Sequence, residues 1–461
     1  MQYKKDILIF FGIFLLALLV RLPFISHPME SIFDEHFQHV TVSNLHRGSP
    51  FFDLHPPLAT LLWEGAVHQK EFSQIVHGGV KIRVPFDDFP YYNLRFLMAI
   101  LGSLLPAIVF LIARLFSIEI SLATLPAIFI IFDNALIIYS RSILPDMFLL
   151  FFGFLGILLW LLSHRSKIKI ASSFLFFLAM LSVGSAISIK WTGLGFLGII
   201  LLYEAYHTNI KRVVFAVIGV GVVYLLVFAV FFVRLTGNNI ESVYKVNALN
   251  SVHFTQKKNI TNFAQFFVQY HQAMMQANKA YDTNFEMGKH PTASKPYQWL
   301  YNQKNINFWV DQNYTAGIVL SGNFPAWIIG ILSTLTLATL TLLKKLKYSI
   351  SVVLPKSIYL LLCGFFISYV PLFFIDRSLF IYHYFPALIF SYMLVPFVLS
   401  FWASLLQSTF TIRRIVKIFV IIVVTWYIAF IPRIYGIPSP FSSIQKTVEF
   451  DTMAKTQAVV V

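Results

Sequence analysis

The chain is dominated by apolar runs joined by short polar connectors, and a water-soluble fold has no way to bury so many of them. Runs at 7–25, 93–114, 118–137, 145–163, 170–187, 191–206, 213–234, 324–343, 355–375, 383–402 and 415–433 lie near the roughly 20 residues that carry a helix across a hydrocarbon core. Only 12% of the 461 residues are charged, against about a quarter in soluble domains. The expected fold is all-α: a polytopic membrane protein of about eleven transmembrane helices, forming one integral membrane domain over residues 1–461.

The formal charge of +15 does not point to nucleic acid, because the cations sit in clusters between the apolar runs. Lys4/Lys5, Arg114, Arg165/Lys167/Lys169, Lys211/Arg212, Lys344/Lys345/Lys347 and Arg413/Arg414/Lys417 fall at alternate ends of successive runs. Cytoplasmic ends carry the excess of Lys and Arg, so the N-terminus is expected inside and the C-terminus outside. Membrane lipids meet these clusters through their headgroups. No small-residue cleavage site follows Ile7–Val20, which reads as a retained signal anchor. With Cys363 as the only cysteine, intramolecular disulfides and Cys-based zinc sites are excluded.

Two long external segments remain, 26–92 and 235–323. Both are polar and aromatic, and long loops of this kind in a compact protein are commonly functional. The first holds Asp34-Glu35-His36, then His39, then Asp53-Leu54-His55-Pro56-Pro57 ahead of an apolar stretch, Leu58–Val67, suited to a short amphipathic helix at the membrane surface. Paired acids beside histidines at a membrane boundary suit proton transfer; alternatively Asp34 and Glu35 cap a helix. His36, His39 and His55 with Asp34 and Asp53 form an admissible zinc ligand set, but no supporting pattern accompanies them. No metal is assigned.

Arg141, Lys190 and Arg377 are cations at the external ends of their runs, against the general bias. Together they fit an anionic ligand such as a lipid phosphate; singly, each fits an interfacial side chain, or an Arg141–Asp146 pair that fixes packing. The second segment carries His290-Pro291 and Ser294-Lys295-Pro296-Tyr297-Gln298-Trp299, a composition suited to a folded lid over a groove. Asn259–Thr261 and Asn313–Thr315 match the glycosylation pattern. A polyprenyl-lipid transporter would instead place charges at mid-span within inverted repeats.

Phe33-Asp34-Glu35 followed by Phe52-Asp53-Leu54-His55-Pro56-Pro57-Leu58 resembles the first-loop signature of the protein O-mannosyltransferases, which are C-type, lipid-sugar-dependent glycosyltransferases. The resemblance continues in order through Asp133-Asn134, Ser140-Arg141, Lys190-Trp191-Thr192-Gly193, His290-Pro291 and Tyr382-His383. It implies the eleven-span architecture and a polyprenyl-phosphate-mannose donor; no cofactor is expected, since cationic side chains can neutralise a monophosphate, and dependence on a divalent metal is left open. It also implies inverting transfer to Ser or Thr hydroxyls of exported proteins on the outer face. Asp34 would be the general base, supported by Glu35, Asp53 and His55. Arg141 would bind the donor phosphate, with Lys190 and Arg377. His36, Pro56, Pro57, His290, Trp299, Tyr382 and His383 would line the groove for donor and acceptor. The second segment is too short for the β-trefoil inserted in eukaryotic members, so the chain resembles the bacterial form in a plasma membrane. Thr60 replaces a lysine common in the family. A C-type transferase moving another lipid-linked sugar onto a lipid or wall glycan is the alternative, and dimer formation is left open.

Overall fold

The structure, a computed structural model, describes residues 2–67, 72, 84–235, 260–284, 290–313, 315–346, 354–406 and 409–438. Parts of both external segments, the sequon residues Asn259 and Tyr314 and the C-terminal end therefore lie outside the described residues. The elements are α1 (Gln2–Arg21), α2 (Glu35–His46), α3 (Leu58–Gly65), α4 (Tyr91–Leu115), α5 (Ile120–Ile131), α6 (Asn134–Tyr139), α7 (Asp146–Arg165), α8 (Lys169–Ile189), α9 (Leu194–Tyr206), α10 (Ile210–Arg234) and α11 (Ile260–Ala280). After α12 (Pro296–Trp299) come strands β1 (Ile306–Val310) and β2 (Gly317–Leu320), then α13 (Phe324–Lys345), α14 (Lys356–Tyr369), α15 (Phe385–Leu406) and α16 (Thr409–Tyr435). Short 3₁₀ turns lead into α9 at Trp191–Gly193 and into α15 at Ile381–Tyr384.

The predominantly helical membrane architecture stands, with one two-stranded hairpin that was not expected, and the spans differ in length from those expected. Among the described residues, eight helices are long and apolar enough to cross a membrane by length and composition. Of the other three expected spans, α1 opens with Lys4, Lys5 and Asp6, while α5 and the segment Trp191–Tyr206 are short. The run 118–137 is cut in two because Asp133 caps a new helix: its Oδ1 accepts the Leu136 N–H at 3.1 Å, ending α5 and starting α6. A carboxylate at this depth needs partners. Its Oδ2 takes the Trp327 indole N–H at 2.6 Å and the Tyr392 hydroxyl at 2.7 Å, so one buried acid joins α6, α13 and α15.

Glycines set how closely the helices approach, as small residues do in lipid. A Cβ at Gly153 of α7 would lie 2.2 Å from the Phe196 ring of α9, and one at Gly156 would lie 2.6 Å from Val183 of α8. The clusters around Lys4/Lys5, Arg114, Arg165 and Arg212 meet at one end of the bundle, where Arg165 donates to the Leu115 carbonyl and Arg212 to Ser163 Oγ. There Arg114 pairs with Asp6 at 2.9 Å, and Glu204 collects Trp160 at 2.7 Å, His164 at 2.6 Å and Asn209 at 2.9 Å. The opposite end carries α2, α3, α11, α12 and the hairpin. A lone two-stranded hairpin is marginal in water; this one packs on α16, and its Phe308 carbonyl accepts the Phe33 N–H at 2.9 Å. A satellite core of Phe228, Phe231 and Phe232 on α10 with Phe266, Tyr270 and Met274 on α11 holds α11 against the bundle.

Asp133→Ala would strand the donors of Trp327, Tyr392 and Leu136, at roughly 1–3 kcal/mol for each buried group left unpaired. Thermal unfolding in detergent is expected to shift further down for Asp133→Ala than for Trp327→Phe. Equal midpoints would remove Asp133 from its place as the hub of these helices.

Candidate active site

Asp34 occupies the cap position ahead of α2, where the chain leaves α1. The preceding Phe33 adopts φ 46° and stacks on Phe308 with ring centres 4.4 Å apart and planes 2° from parallel. A bulky residue at positive φ is strained, and the hairpin's hydrogen bond and ring contact hold it there. The expected alternative role as a side-chain cap is not taken up, because the Asp34 carboxylate makes no capping bond.

Glu35 spends its carboxylate on structural bonds. Its Oε1 accepts from Arg95 Nε at 3.0 Å and from the Ile143 N–H at 2.8 Å; its Oε2 accepts from Arg95 Nη2 at 2.6 Å and from the Ile32 N–H at 3.1 Å. Glu35 is fully buried, and four donors leave it no capacity for substrate. Arg95 in turn donates to the carbonyls of Pro28 and Glu30. The pair ties the start of α2 to α4 and to the loop before α7, and so fixes the adjacent Asp34. Arg95 escaped the sequence reading, although a cation just inside an apolar run is itself a signal of a buried partner.

Asp34 keeps part of its surface open, yet enough protein surrounds it that loss of hydration raises its carboxyl from 3.8 to about 7, against the field of Lys190 and with that of Asp146. Lys190 Nζ lies 2.9 and 3.2 Å from the Asp146 carboxylate oxygens and 5.1 Å from the Tyr382 ring centre. Asp146 therefore pairs with Lys190 and not, as one expectation had it, with Arg141. The two charges largely cancel, so Asp34 is not pulled down by an unopposed cation.

Asp53 and His55 adjoin this centre. The His55 N–H donates to Asp53 Oδ1 at 3.0 Å, and the Asp53 N–H donates to the Tyr270 hydroxyl at 3.1 Å. Burial raises Asp53 to about 6, although the backbone bonds of His55 and Leu54 oppose the shift. Burial and the charges of Lys190 and Arg377 hold His55 well below 6.5, so its imidazole is neutral. Pro56 and Pro57 are buried at the entry to α3, which forms at the apolar stretch where a helix was expected.

A cavity of about 440 Å³ opens beside them, lined by His55, Lys190, Trp191, Asn278, Asp376 and Arg377 among others. A second, of about 530 Å³, is lined by His290, Ser294, Lys295, Tyr297, Leu372 and Arg377. Ile375, Asp376 and Arg377 belong to both, so this short segment is the wall between them. The Trp299 indole donates to Ser294 Oγ at 2.8 Å and braces the second cavity, where burial lowers His290 to about 4. Tyr382 and His383 stack with ring centres 4.7 Å apart, and Trp299 lies 6.4 Å beyond His383. Asn278 and Lys279 on α11 were not singled out by sequence, since polar residues on an amphipathic helix carry no motif.

Arg141, His36 and His39 are not among the residues that line the two cavities, and neither are Asp34, Asp53, Tyr382 and His383. Arg141 is buried and donates to the carbonyls of Arg21, Pro23 and Phe24, with its guanidinium 4.6 Å from the Tyr435 ring centre. It fastens the end of α1 through these carbonyls. His36 is buried on α2 beside Phe37, and His39 stacks on Phe89 at 3.8 Å. Among the described residues, no three His, Cys, Asp or Glu side chains come together to hold a metal.

The linkage sign for Asp34 is definite: a carboxyl raised on folding favours the folded state at low pH and loses that contribution as pH rises through about 7. Asp34→Asn is therefore expected to unfold at a higher temperature than wild type above about pH 7, with the gap closing below about pH 4. A gap independent of pH, or one of opposite sign, would show that burial of this carboxylate carries no cost.

Residues 12–257, more than half of the chain, match the family model described as dolichyl-phosphate-mannose-protein mannosyltransferase. Residues 263–453 match the C-terminal four TMM region of protein-O-mannosyltransferase. Protein O-mannosyl-transferase 1 of Homo sapiens is 34% identical over 148 residues, covering 30% of this chain and 19% of its own length. The matched region thus spans about a fifth of that relative. The solved Saccharomyces cerevisiae protein O-mannosyltransferase Pmt1-Pmt2 complex bound to the sugar donor superposes with a TM-score of 0.79 at 16% identity, over 94% of this chain and 91% of the other. ArnT from Cupriavidus metallidurans bound to undecaprenyl phosphate gives 0.51 at 12% identity, over 98% and 74%. These likenesses establish the C-type glycosyltransferase fold.

Proposed function

The chain belongs to the dolichyl-phosphate-mannose-protein mannosyltransferase family, and on that premise we propose that it moves mannose from a polyprenyl-phosphate-mannose lipid to Ser or Thr hydroxyls of exported proteins. The observation that carries this reading is Asp34, a carboxyl raised to about 7 in the field of Lys190, which itself lines a cavity together with Arg377. An alcohol attacks poorly until a base takes its proton as the new bond forms. Asp34 accepts that proton, the hydroxyl oxygen bonds to the anomeric carbon, and the bond from that carbon to the phosphate oxygen breaks. One in-line displacement inverts the sugar's configuration.

Charge collects on the departing phosphate, and fixed cations stabilise it. Arg377 takes this role in place of Arg141. It lines the cavity, and no carboxylate among the described residues is bonded to it, whereas Arg141 is committed to backbone carbonyls. Lys190 contributes less, because Asp146 already opposes it. The donor phosphate lies in the cavity of His55, Lys190 and Arg377. The acceptor chain lies in the cavity of His290 and Lys295. The basic clusters at the opposite end of the bundle support an orientation with the site outside and the N-terminus in the cytoplasm, in a bacterial-type plasma membrane.

Purified protein with labelled polyprenyl-phosphate mannose and a Ser/Thr-rich peptide tests the proposal. Asp34→Asn is expected to lower kcat by about 10²–10⁴. In wild type, kcat/KM should rise about tenfold per pH unit below about 7 and level off above it. Arg377→Gln should raise the donor KM about tenfold, more than Arg141→Gln does in the folded fraction. Full transfer by Asp34→Asn would reject the base, and transfer of some other lipid-linked sugar but no mannose would reject the donor.

A further inference from the structure

Residues 281 and 282 follow α11 and were not singled out by the sequence, yet they make contacts that converge on Arg377. The Arg377 guanidinium carbon lies 5.5 Å from the centre of the Tyr281 ring. Asp282 Oδ2 accepts the N–H of the next residue, Ser378, at 2.8 Å. The Ser378 hydroxyl in turn accepts the His290 N–H at 3.0 Å. The segment that divides the two cavities is thus pinned from α11 on one side and from the start of the His290 loop on the other.

We infer that Tyr281 and Asp282 are positioning residues that hold Arg377 in the wall between the cavities, where it meets the phosphate of the lipid donor. The inference rests on the transferase reading. Arginine carries about 2 kcal/mol of rotamer entropy, and a guanidinium in a wall shared by two cavities has space on either side. The Tyr281 ring face restricts it through a cation–π contact, while Asp282 fixes the backbone from which it springs. The placement of Asp282 discriminates between two roles. A carboxylate that served to neutralise Arg377 would pair with the guanidinium. This one is bonded instead to a backbone N–H, which leaves the positive charge for an anion.

Asp282 Oδ1 is buried with no partner among the described residues. A packed protein rarely keeps such an atom without reason. The base of the pin is firm, because α11 is anchored through Tyr270, Ala273, Met274 and Ala277 in the satellite core. Tyr281 also lies in the field of Asp34: burial and that negative charge both raise its hydroxyl, while Arg377 opposes them. One tyrosine therefore touches the proposed phosphate ligand and lies in the field of the proposed base.

The test uses the full chain in lipid nanodiscs and reads equilibrium binding of unreactive polyprenyl phosphate together with donor KM, acceptor KM and kcat. Asp282→Ala and Tyr281→Leu should each weaken polyprenyl-phosphate binding and raise donor KM about tenfold, with acceptor KM and kcat within about twofold of wild type. Asp282→Asn, whose amide oxygen still accepts from Ser378, and Tyr281→Phe, which keeps the ring face, should remain within about threefold of wild type. In an Arg377→Gln background, Tyr281→Leu should add nothing further, since the group it positions is gone. Unchanged phosphate binding in Asp282→Ala and Tyr281→Leu would overturn the inference. So would a fall in kcat alone, which marks a loss of folded protein. Wild type that binds polyprenyl phosphate, obeys these shifts and transfers no mannose would leave the pin standing and remove the mannosyltransferase reading.

Discussion

The buried pair of Glu35 and Arg95 is the contact on which the arrangement of the site depends. A charge pair taken out of water gains stability only when its remaining donors and acceptors are filled, and here the carboxylate receives four hydrogen bonds while the guanidinium reaches two further carbonyls. Those bonds bring together the end of the α1–α2 connection, the first turn of α4 and the loop before α7. Asp34 stands one residue from that junction. Its neighbour is saturated, so Asp34 alone of the two acids remains able to exchange a proton with a substrate.

The environments of these adjacent carboxylates are opposed. Glu35 is surrounded by donors and Asp34 by crowding without a capping bond. Lys190 is close to Asp34 but is held by Asp146, which keeps a nearby cation from forcing the carboxyl into its ionised form. Arg377 is disposed in the opposite sense, facing an aromatic ring instead of an acid. Acid and cation groups are thus present in both compensated and uncompensated forms, and the uncompensated cation, Arg377, lines both cavities.

Much of this was legible in the sequence because membrane burial leaves coarse marks. Apolar run length and the alternation of basic clusters gave the helical architecture, and the order of short motifs led to Asp34, His55, Lys190 and Arg377. What escaped has physical causes. The run 118–137 scores as one span because a hydropathy window averages over Asp133, whereas the folded chain treats that residue as a helix cap. The contacts of the Arg141 guanidinium with the carbonyls of Arg21, Pro23 and Phe24 are likewise absent from any local motif. Arg95, Tyr281 and Asp282 act through residues about 60 to 100 positions away, and no local spacing records such a contact.

The wall of Ile375, Asp376 and Arg377 is common to both cavities. A partition that serves two compartments cannot shift toward one without enlarging the other. The occupancies of the two compartments are therefore linked to the extent that this segment moves, and the linkage is reciprocal: whatever free energy one occupant gives the other, it receives in return. Any such movement would have to break the bonds that Ser378, next in the chain, makes with Asp282 and with the His290 N–H.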